Sequence, residues 1–390
     1  MDFIFSQEDE SFRRQAIDFV EDRLPWDWRS EVVDSEDPKT AKKLRQFKKI
    51  LADKGWLTLA WPEEYGGLGA PHIQQMVFNE EMAYRSIPAS DAGVNQVGPI
   101  LMLYGTDEQK QYFLPRIAKA DIEWAQGYSE PDAGSDLAGV QTRAEEDGDD
   151  FVVTGSKIWN GAHSGSNWMF MLVRTDPDAP KHRGISFLLT EMDDPGITVE
   201  RIPMMWGADR ALVTLDKVRV PKQNLVGELN RGWYVGATLL DFERSGVANS
   251  ARGRRILEDL VRFCKSNVRN GKPLSGDPII RSRLSAMAVE LETCRLMSYN
   301  VAWMQSNGLI PNKEASIVKA FGSEMVARLY QLGMNILGLY GQLEPDSKWV
   351  PLKGRIETAY MSSAASMVAA GTSEIQRNII ATRGLGLPRG

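Results

Sequence analysis

The sequence predicts an α+β, multidomain chain: an all-helical domain over residues 1–121, a β domain over 122–230 and a C-terminal helical bundle over 231–390. Three observations carry this. Apolar residues recur at helical spacing in both outer segments. The middle segment is cut into short β-rich runs by Gly, Asp and Pro. The last third holds four long amphipathic stretches in series, the pattern of a four-helix bundle.

The elements follow in order. SQEDESFRRQAIDFVEDRL opens with a capping box, Ser6 standing three residues before Asp9. TAKKLRQFKKILADKGW is a second helix with Gly55 as its stop. PEEYGGLGAP is a Gly/Pro loop before the helix HIQQMVFNEEMAYRS, and TDEQKQYFLPRIAKAD is a further helix that Pro115 should interrupt. Six β-rich runs follow, from AQGYSE to VTLDKVRVP, with EEDGDDFVVTG as a hairpin. Six runs suffice for a small closed barrel or a sandwich. GWYVGATLLDFERSGVANSARGRRILEDLVRFCKSN then reads as one very long helix, with three more behind it.

Composition excludes several functions. Of 390 residues, 43% are hydrophobic and 25% charged, and the net charge is −6, so neither nucleic acid nor an anionic membrane is an expected partner. No apolar run approaches a membrane span. The acidic, polar start MDFIFSQEDESFRRQ argues against a secretory or transit peptide, so a cytoplasmic protein is expected. Cys264 and Cys294 lack a CxxC partner and read as reduced core thiols. His72, His163 and His182 have no ligand spacing, so no metal is expected.

Four stretches carry chemistry. LLDFERSGVAN (239–249) sets Glu243 on the apolar face of a helix, with Leu239, Leu240, Gly246 and Val247 one turn away. A carboxylate there is either paired with a cation such as Arg244 or kept for its proton chemistry. GYSEPDAGSDLAG (127–139) is rich in small and hydroxyl residues. It is either an ordinary loop or a cradle in which Gly134 and Gly139 admit a ligand to the backbone and Ser129 and Ser135 bind it. In GSKIWNGAHSGSNW, Trp159 either covers a flat ring or packs in a core. In MVAAGTSEIQRNII, Gly371 and Thr372 precede a helix, either as a routine cap with Glu374 close behind or as N–H donors to an anion or carbonyl oxygen.

Together these stretches resemble the acyl-CoA dehydrogenase family over nearly the whole chain. EPDAGSD is similar to the family's EPGAGSD loop, GSKIWNG to its GxKxWIT strand, NILGLYG to QILGGxGY and AAGTSEIQRNII to YEGTxxIQR, in the same order. The resemblance implies helices, a middle β domain and a C-terminal four-helix bundle. It also implies FAD, an acyl-CoA substrate and an electron-transferring flavoprotein. In that reaction a glutamate takes the α-proton of an acyl thioester, the β-hydrogen leaves as hydride to N5 of FAD, and a trans-2-enoyl-CoA forms. The thioester carbonyl is held by a ribityl hydroxyl and a backbone N–H.

Residue by residue, the resemblance places Tyr128, Ser129, Gly134 and Ser135 at the flavin ring and pyrophosphate, Ser135 also touching CoA. Trp159 falls on the flavin-stacking position, and Gly161 replaces the threonine near N5. Thr372 and Glu374 match positions near the adenosine half, and Gly338 one reached from a neighbouring subunit. The glutamate of YEGT is Ala370 here, so Ala370 and Gly371 lie against substrate without the usual base. A minority of the family carries its base in an LDxER-like stretch of the first bundle helix; LLDFERSGVA matches it, with Glu243 on the base position and Arg244 shaping the substrate channel. Asn267 and Asn270 stand at the Arg and Phe of the family's RxxFG, and Asn335 at the Gln of QILGG. This weakens FAD contacts between subunits and resembles the bacterial branch acting on bulky, dicarboxylic or steroid-side-chain acyl-CoAs. A homotetramer or homodimer, or a heteromer with a related subunit, is implied. The alternatives are a subunit that needs a partner chain to complete its FAD site, or an oxidase or desulfinase on the same scaffold.

Overall fold

The computed structural model describes residues 5–24, 38–87, 90–242 and 246–388. In sequence they form an N-terminal helical domain, a middle β-sheet domain and a C-terminal helical domain. By contacts they form two compact units. One holds residues 5–24, 70–87 and 246–388, the other 38–69 and 90–242.

The sheet unit contains α2 (Pro38–Asp53), α4 (Gly98–Tyr104), α5 (Asp107–Ala118), α6 (Gly232–Phe242) and one eight-stranded sheet. The strands are β1 (Trp124–Gly127), β2 (Arg143–Asp147), β3 (Asp150–Asn160), β4 (Trp168–Arg174), β5 (Ile185–Glu191), β6 (Ile197–Pro203), β7 (Asp209–Pro221) and β8 (Leu225–Val226). Their order is β6-β7-β3-β2-β4-β5-β8, with β1 parallel to β4. The expected hairpin is present: β2 and β3 are antiparallel, and Gly148 turns the chain at φ +62°. Alternation along the strands sends Phe151, Val153, Met169, Met171, Leu188, Val213 and Val218 into one dry core. Burying a set of this size is the main term stabilising the unit. On the opposite face, Phe113, Trp124, Trp168 and Phe170 pack in tilted and edge-on pairs at 4.8–6.3 Å between ring centres.

Pro115 does not interrupt α5. The helix runs through it to Ala118, at the loss of the one backbone bond that residue 115 would donate to the Gln111 carbonyl.

The helical unit contains α1 (Gln7–Glu21), α3 (His72–Tyr84), α7 (Val247–Ser266), α8 (Pro278–Ser306), α9 (Asn312–Leu337), α10 (Arg355–Val368) and α11 (Ser373–Ile379). The capping box forms as read: Ser6 Oγ accepts from the Asp9 N–H at 3.0 Å, and the Asp9 carboxylate accepts from the Ser6 N–H. Leu260, Leu284, Leu291, Met325, Leu329 and Ile356 make the bundle core, and both cysteines lie free and buried against it. A buried ionic cluster pins α1, α3 and α8: Arg13 donates to Glu80 and Glu81, and Tyr299 donates to Glu80 at 2.7 Å. No described helix is long and apolar enough to cross a membrane, and no described cluster of His, Cys, Asp or Glu can hold a metal ion.

The very long helix expected over GWYVGATLLDFERSGVANSARGRRILEDLVRFCKSN is two helices. α6 ends at Phe242, and α7 starts at Val247 behind Gly246, which has φ +66°. The reason is contact with α9: a Cβ on Gly246 would lie 2.3 Å from Val318 Cγ1. Valine is stiff at χ1 and cannot swing aside. We expect Gly246→Ala to cost about 2–4 kcal/mol, from overpacking together with the left-handed backbone. Thermal unfolding of the variant checks this, and an unchanged midpoint refutes it.

Candidate active site

The loop after β1 is held rigidly from below. Glu130 and Ala133 exchange both backbone hydrogen bonds, at 2.9 and 3.1 Å, closing a tight turn around Pro131 and Asp132. Beneath it lies the fully buried Lys157 of β3, whose Nζ donates to Glu130 Oε1 and to the Leu172 carbonyl, both at 2.6 Å. The Glu130 carboxylate also accepts from the N–H groups of Gln141 (2.6 Å) and Thr142 (3.0 Å). Burial pushes this carboxyl up, but the ammonium and the two N–H groups outweigh it and hold it below its usual value. Burial pulls Lys157 the other way, down to about 8 against the pull of Glu130. The ammonium has two described acceptors, whereas the carboxylate has three donors, so the two groups move in the same direction for different reasons. Further along, Arg174 donates to the carbonyls of Ala138 (2.7 Å) and Val140 (3.4 Å).

On that base the crest of the loop is open. Gly134 and Ser135 are exposed, and nothing lies within 4 Å of the space a Gly134 side chain would fill. Ser129 is tied to β3, its carbonyl accepting from the Ile158 N–H at 2.9 Å. The next residue is Trp159, where the β3–β7 register shifts between Ile158 and Asn160. Trp159 has φ +67° and is 54% exposed. An aromatic residue in the left-handed region is strained, and such strain clusters where function requires a side chain to be aimed. Asn160 turns inward, its Oδ1 accepting from the Ala162 N–H, while its buried Nδ2 has no partner among the described residues. Gly161 follows with an ordinary φ of −97°.

Tyr128 is different from its neighbours. Its side chain is buried edge-on to Phe170 and Phe187, and its hydroxyl donates to the Gly236 carbonyl of α6 at 3.4 Å. Burial pushes the phenol well above its ordinary value. Only the backbone of Tyr128 is left for a ligand.

In the helical unit, the stretch AASMVAAGTSEIQRNII breaks into α10 and α11 at a four-residue turn. Ala370 (φ +54°) and Gly371 (φ +86°) are both left-handed. Thr372 caps α11, its Oγ1 accepting from the Ile375 N–H at 3.2 Å. Glu374 is exposed in the first turn, its carboxyl lowered by its own backbone N–H and by the Thr372 hydroxyl. The left-handed φ of Gly371 favours glycine there, and a side chain would also push against Gln376 Nε2 at 2.7 Å.

Gly338 ends α9 with φ +60° and ψ −136°, a conformation reserved for glycine. It belongs to the same unit as Ala370–Glu374, but Lys319, which touches the Gly371 turn, lies nineteen residues earlier along α9. At 1.5 Å per residue that is about 28 Å along the helix. Beside Gly338, Arg269 Nη2 donates to the Ile336 carbonyl at 2.6 Å. Arg269 comes from a two-stranded hairpin, β9 (Val268–Arg269) and β10 (Lys272–Pro273), turned by Asn270 and Gly271 at φ +54° and +76°. Asn270 is thus a turn residue, and Asn267 spends its side chain on the Phe263 carbonyl of α7. Glu243 and Arg244 lie outside the described residues.

Three family models match the chain in succession: the acyl-CoA dehydrogenase N-terminal domain over residues 6–121, the middle domain over 125–217 and the C-terminal domain over 230–385. Acyl-CoA dehydrogenase FadE26 of Mycobacterium tuberculosis is 38% identical over 344 residues, covering 86% of each chain. The chain belongs to the acyl-CoA dehydrogenase family. Members of that family are oxidoreductases acting on CH–CH groups. Among solved structures, this acyl-CoA dehydrogenase is similar to the Tcur3481-Tcur3483 steroid ACAD, with TM-score 0.91, 34% identity and full coverage of both chains. It is similar to the same degree, TM-score 0.91 and 34% identity over both whole chains, to a chain of the ChsE4-ChsE5 complex from Mycobacterium tuberculosis.

Reading the sequence singled out Trp159 and the 127–139 loop, but not the Glu130–Lys157 pair beneath them. The signal was present, since both residues stand inside the quoted stretches EPDAGSD and GSKIWNG. Lys319 gave no local signal, being one lysine among helical spacings.

Proposed function

We propose that this acyl-CoA dehydrogenase desaturates the acyl-CoA thioester of a bulky, steroid-side-chain type of acid between its α and β carbons. Glu243 takes the α-proton, and electrons pass on to an electron-transferring flavoprotein. The observation that carries the reading is Trp159: a strained, half-exposed indole, one hydrogen-bonded step from Ser129 and beside an open glycine-serine crest. These residues fit a flavin. The indole offers a flat face, the backbone of Tyr128 and Ser129 and the Gly134–Ser135 crest offer N–H and hydroxyl donors, and Asn160 Nδ2 is a buried donor in search of an acceptor. FAD, when bound, supplies the hydride acceptor.

The remaining chemistry is the protein's. An α-C–H beside a thioester is only weakly acidic, so the base must be poised and the carbonyl polarised as enolate charge develops. Glu243 is the base, Ala370 N–H is a donor to the carbonyl oxygen, and Arg244 shapes the channel. Thr372, Glu374 and Gly338 serve the nucleotide half of the cofactor. The distance of Gly338 from the Gly371 turn along α9 supports its serving a neighbouring subunit's site.

A specific observation favours a partner that is not a second copy. Asn267 and Asn270 are committed to a helix cap and a turn, and the chain is as similar to a chain of a two-component complex as to any structure above. Two purifications test both readings. With the partner present, the chain binds close to one FAD per site and Trp159→Ala lowers FAD affinity by about 10-fold or more, as expected for a base-like ring stacked on an aromatic side chain, worth about 1–3 kcal/mol. Full affinity in Trp159→Ala removes the carrying observation. One FAD per chain in the chain purified alone removes the partner.

A further inference from the structure

The Ala370–Gly371 turn is held by two side chains that do no chemistry in the reaction as read above. Lys319 of α9 donates from Nζ to the Gly371 carbonyl at 2.5 Å and to the Met367 carbonyl, in the last turn of α10, at 3.3 Å. Gln376 of α11 donates from Nε2 to the Ala370 carbonyl at 3.2 Å and to the Gly371 carbonyl at 3.5 Å. The Ala369 N–H is taken by the Ala365 carbonyl at 2.9 Å.

A peptide unit is planar and trans, so its N–H points opposite its C=O. Drawing the Ala370 carbonyl towards Gln376 therefore aims the Gly371 N–H the other way. Anchoring the Ala369 N–H on one side and the Ala370 and Gly371 carbonyls on the other brackets the single peptide that carries the Ala370 N–H and restricts its rotation. Among the described residues neither the Ala370 nor the Gly371 N–H has an acceptor. Ala370 is left-handed without being glycine, which the backbone does not adopt unless its surroundings enforce it. Lys319 is an unusual enforcer. Burial lowers its ammonium, Glu324 and Glu374 offset this only from longer range, and its described bonds go to carbonyls rather than to a carboxylate.

We propose that Lys319, with Gln376 beside it, is a positioning residue for this dehydrogenation: it locks the Ala370–Gly371 turn so that the Ala370 N–H is fixed as a donor to the thioester carbonyl. The inference rests on the reading of the turn as the thioester's donor. Preorganisation of this kind matters because a donor fixed in advance spends nothing on reorganisation as enolate charge grows. In relatives with a glutamate at this position the same turn carries the base, and in this chain its remaining task is the donor alone.

The test uses acetyl-CoA labelled with carbon-13 at the carbonyl, which has no β-hydrogen and cannot be dehydrogenated. Difference infrared spectroscopy of the saturated holoenzyme reads the hydrogen bond to that carbonyl directly, as a shift of its stretch to lower frequency. Flavin content and melting temperature are measured alongside. The native enzyme shows the shift, Lys319→Met loses most of it while keeping its flavin, and Lys319→Arg restores it. If Lys319→Met fails to fold, Lys319→Gln is read in its place. A native enzyme with no shift sinks the reading of the turn and the inference with it. A native shift retained in full by Lys319→Met or Lys319→Gln sinks the inference alone.

Discussion

Glu243→Gln leaves FAD and acyl-CoA binding intact and slows reduction of the flavin by acyl-CoA about 10²- to 10⁴-fold, the range a positioned general base supplies. In free energy that is about 3–5 kcal/mol. Glutamine has nearly the shape of glutamate but cannot accept the α-proton, so the variant separates chemistry from packing. An ion-pair role for Glu243 with Arg244 would show instead as loss of stability with chemistry largely kept. Rapid-mixing measurement of flavin bleaching against a panel of bulky acyl-CoAs distinguishes the two. Reduction at close to the parent rate would remove Glu243 from the base role and favour a different reaction on this scaffold, such as a desulfinase that needs no α-base. Ala370 bears on the same point: it carries only a methyl group, so no second carboxylate of that turn can rescue the variant.

How much of this was legible beforehand depended on distance along the chain. The Ser6–Asp9 capping box and the Gly148 hairpin are settled by residues within three positions of each other, and both form as read. The motif stretches were legible because each is a continuous run, and they led to the family that the comparisons establish. The break between α6 and α7 was not, because it depends on Val318 of α9 lying against Gly246 across 72 residues of sequence. Pro115 misleads for the opposite reason: the local rule for proline is real, but the loss of one backbone bond is outweighed by the packing of Phe113, Leu114 and Ile117, which are buried on the same helix. The committed side chain of Tyr128 and the Lys319 clamp are likewise tertiary facts, fixed by Phe170, Phe187 and Gly236 in one case and by a turn 52 residues away in the other.

The second large effect is expected from Lys157→Met. Methionine fills much of the volume of lysine, so packing is nearly conserved, but the Glu130 carboxylate is left buried with two N–H donors and, among the described residues, no hydrogen-bonded cation, Arg174 acting on it only at longer range. Breaking a buried pair from one side costs about 3–5 kcal/mol, because the remaining charge is uncompensated. For a unit of this size, a melting temperature roughly 10 °C lower follows. Because Glu130 is also the foot of the 127–139 loop, FAD affinity falls with it. The double variant Glu130→Gln with Lys157→Met removes the stranded charge and should regain part of the loss; a double variant worse than Lys157→Met alone would refute an electrostatic cause. The pH dependence gives an independent sign. Glu130 in the folded parent sits below its ordinary value of 4.5, so the unfolded chain binds more protons as acid is added. The stability it contributes is fully present above about 4.5 and is lost as pH falls through the folded value. In Lys157→Met the ammonium that held the carboxyl down is gone, and protonation at acid pH relieves the stranded charge rather than breaking a pair. The gap in stability between parent and variant therefore narrows from pH 7 to pH 4. A gap that stays constant would mean that the loss is one of packing, and that the foot of the 127–139 loop is held by shape rather than by charge.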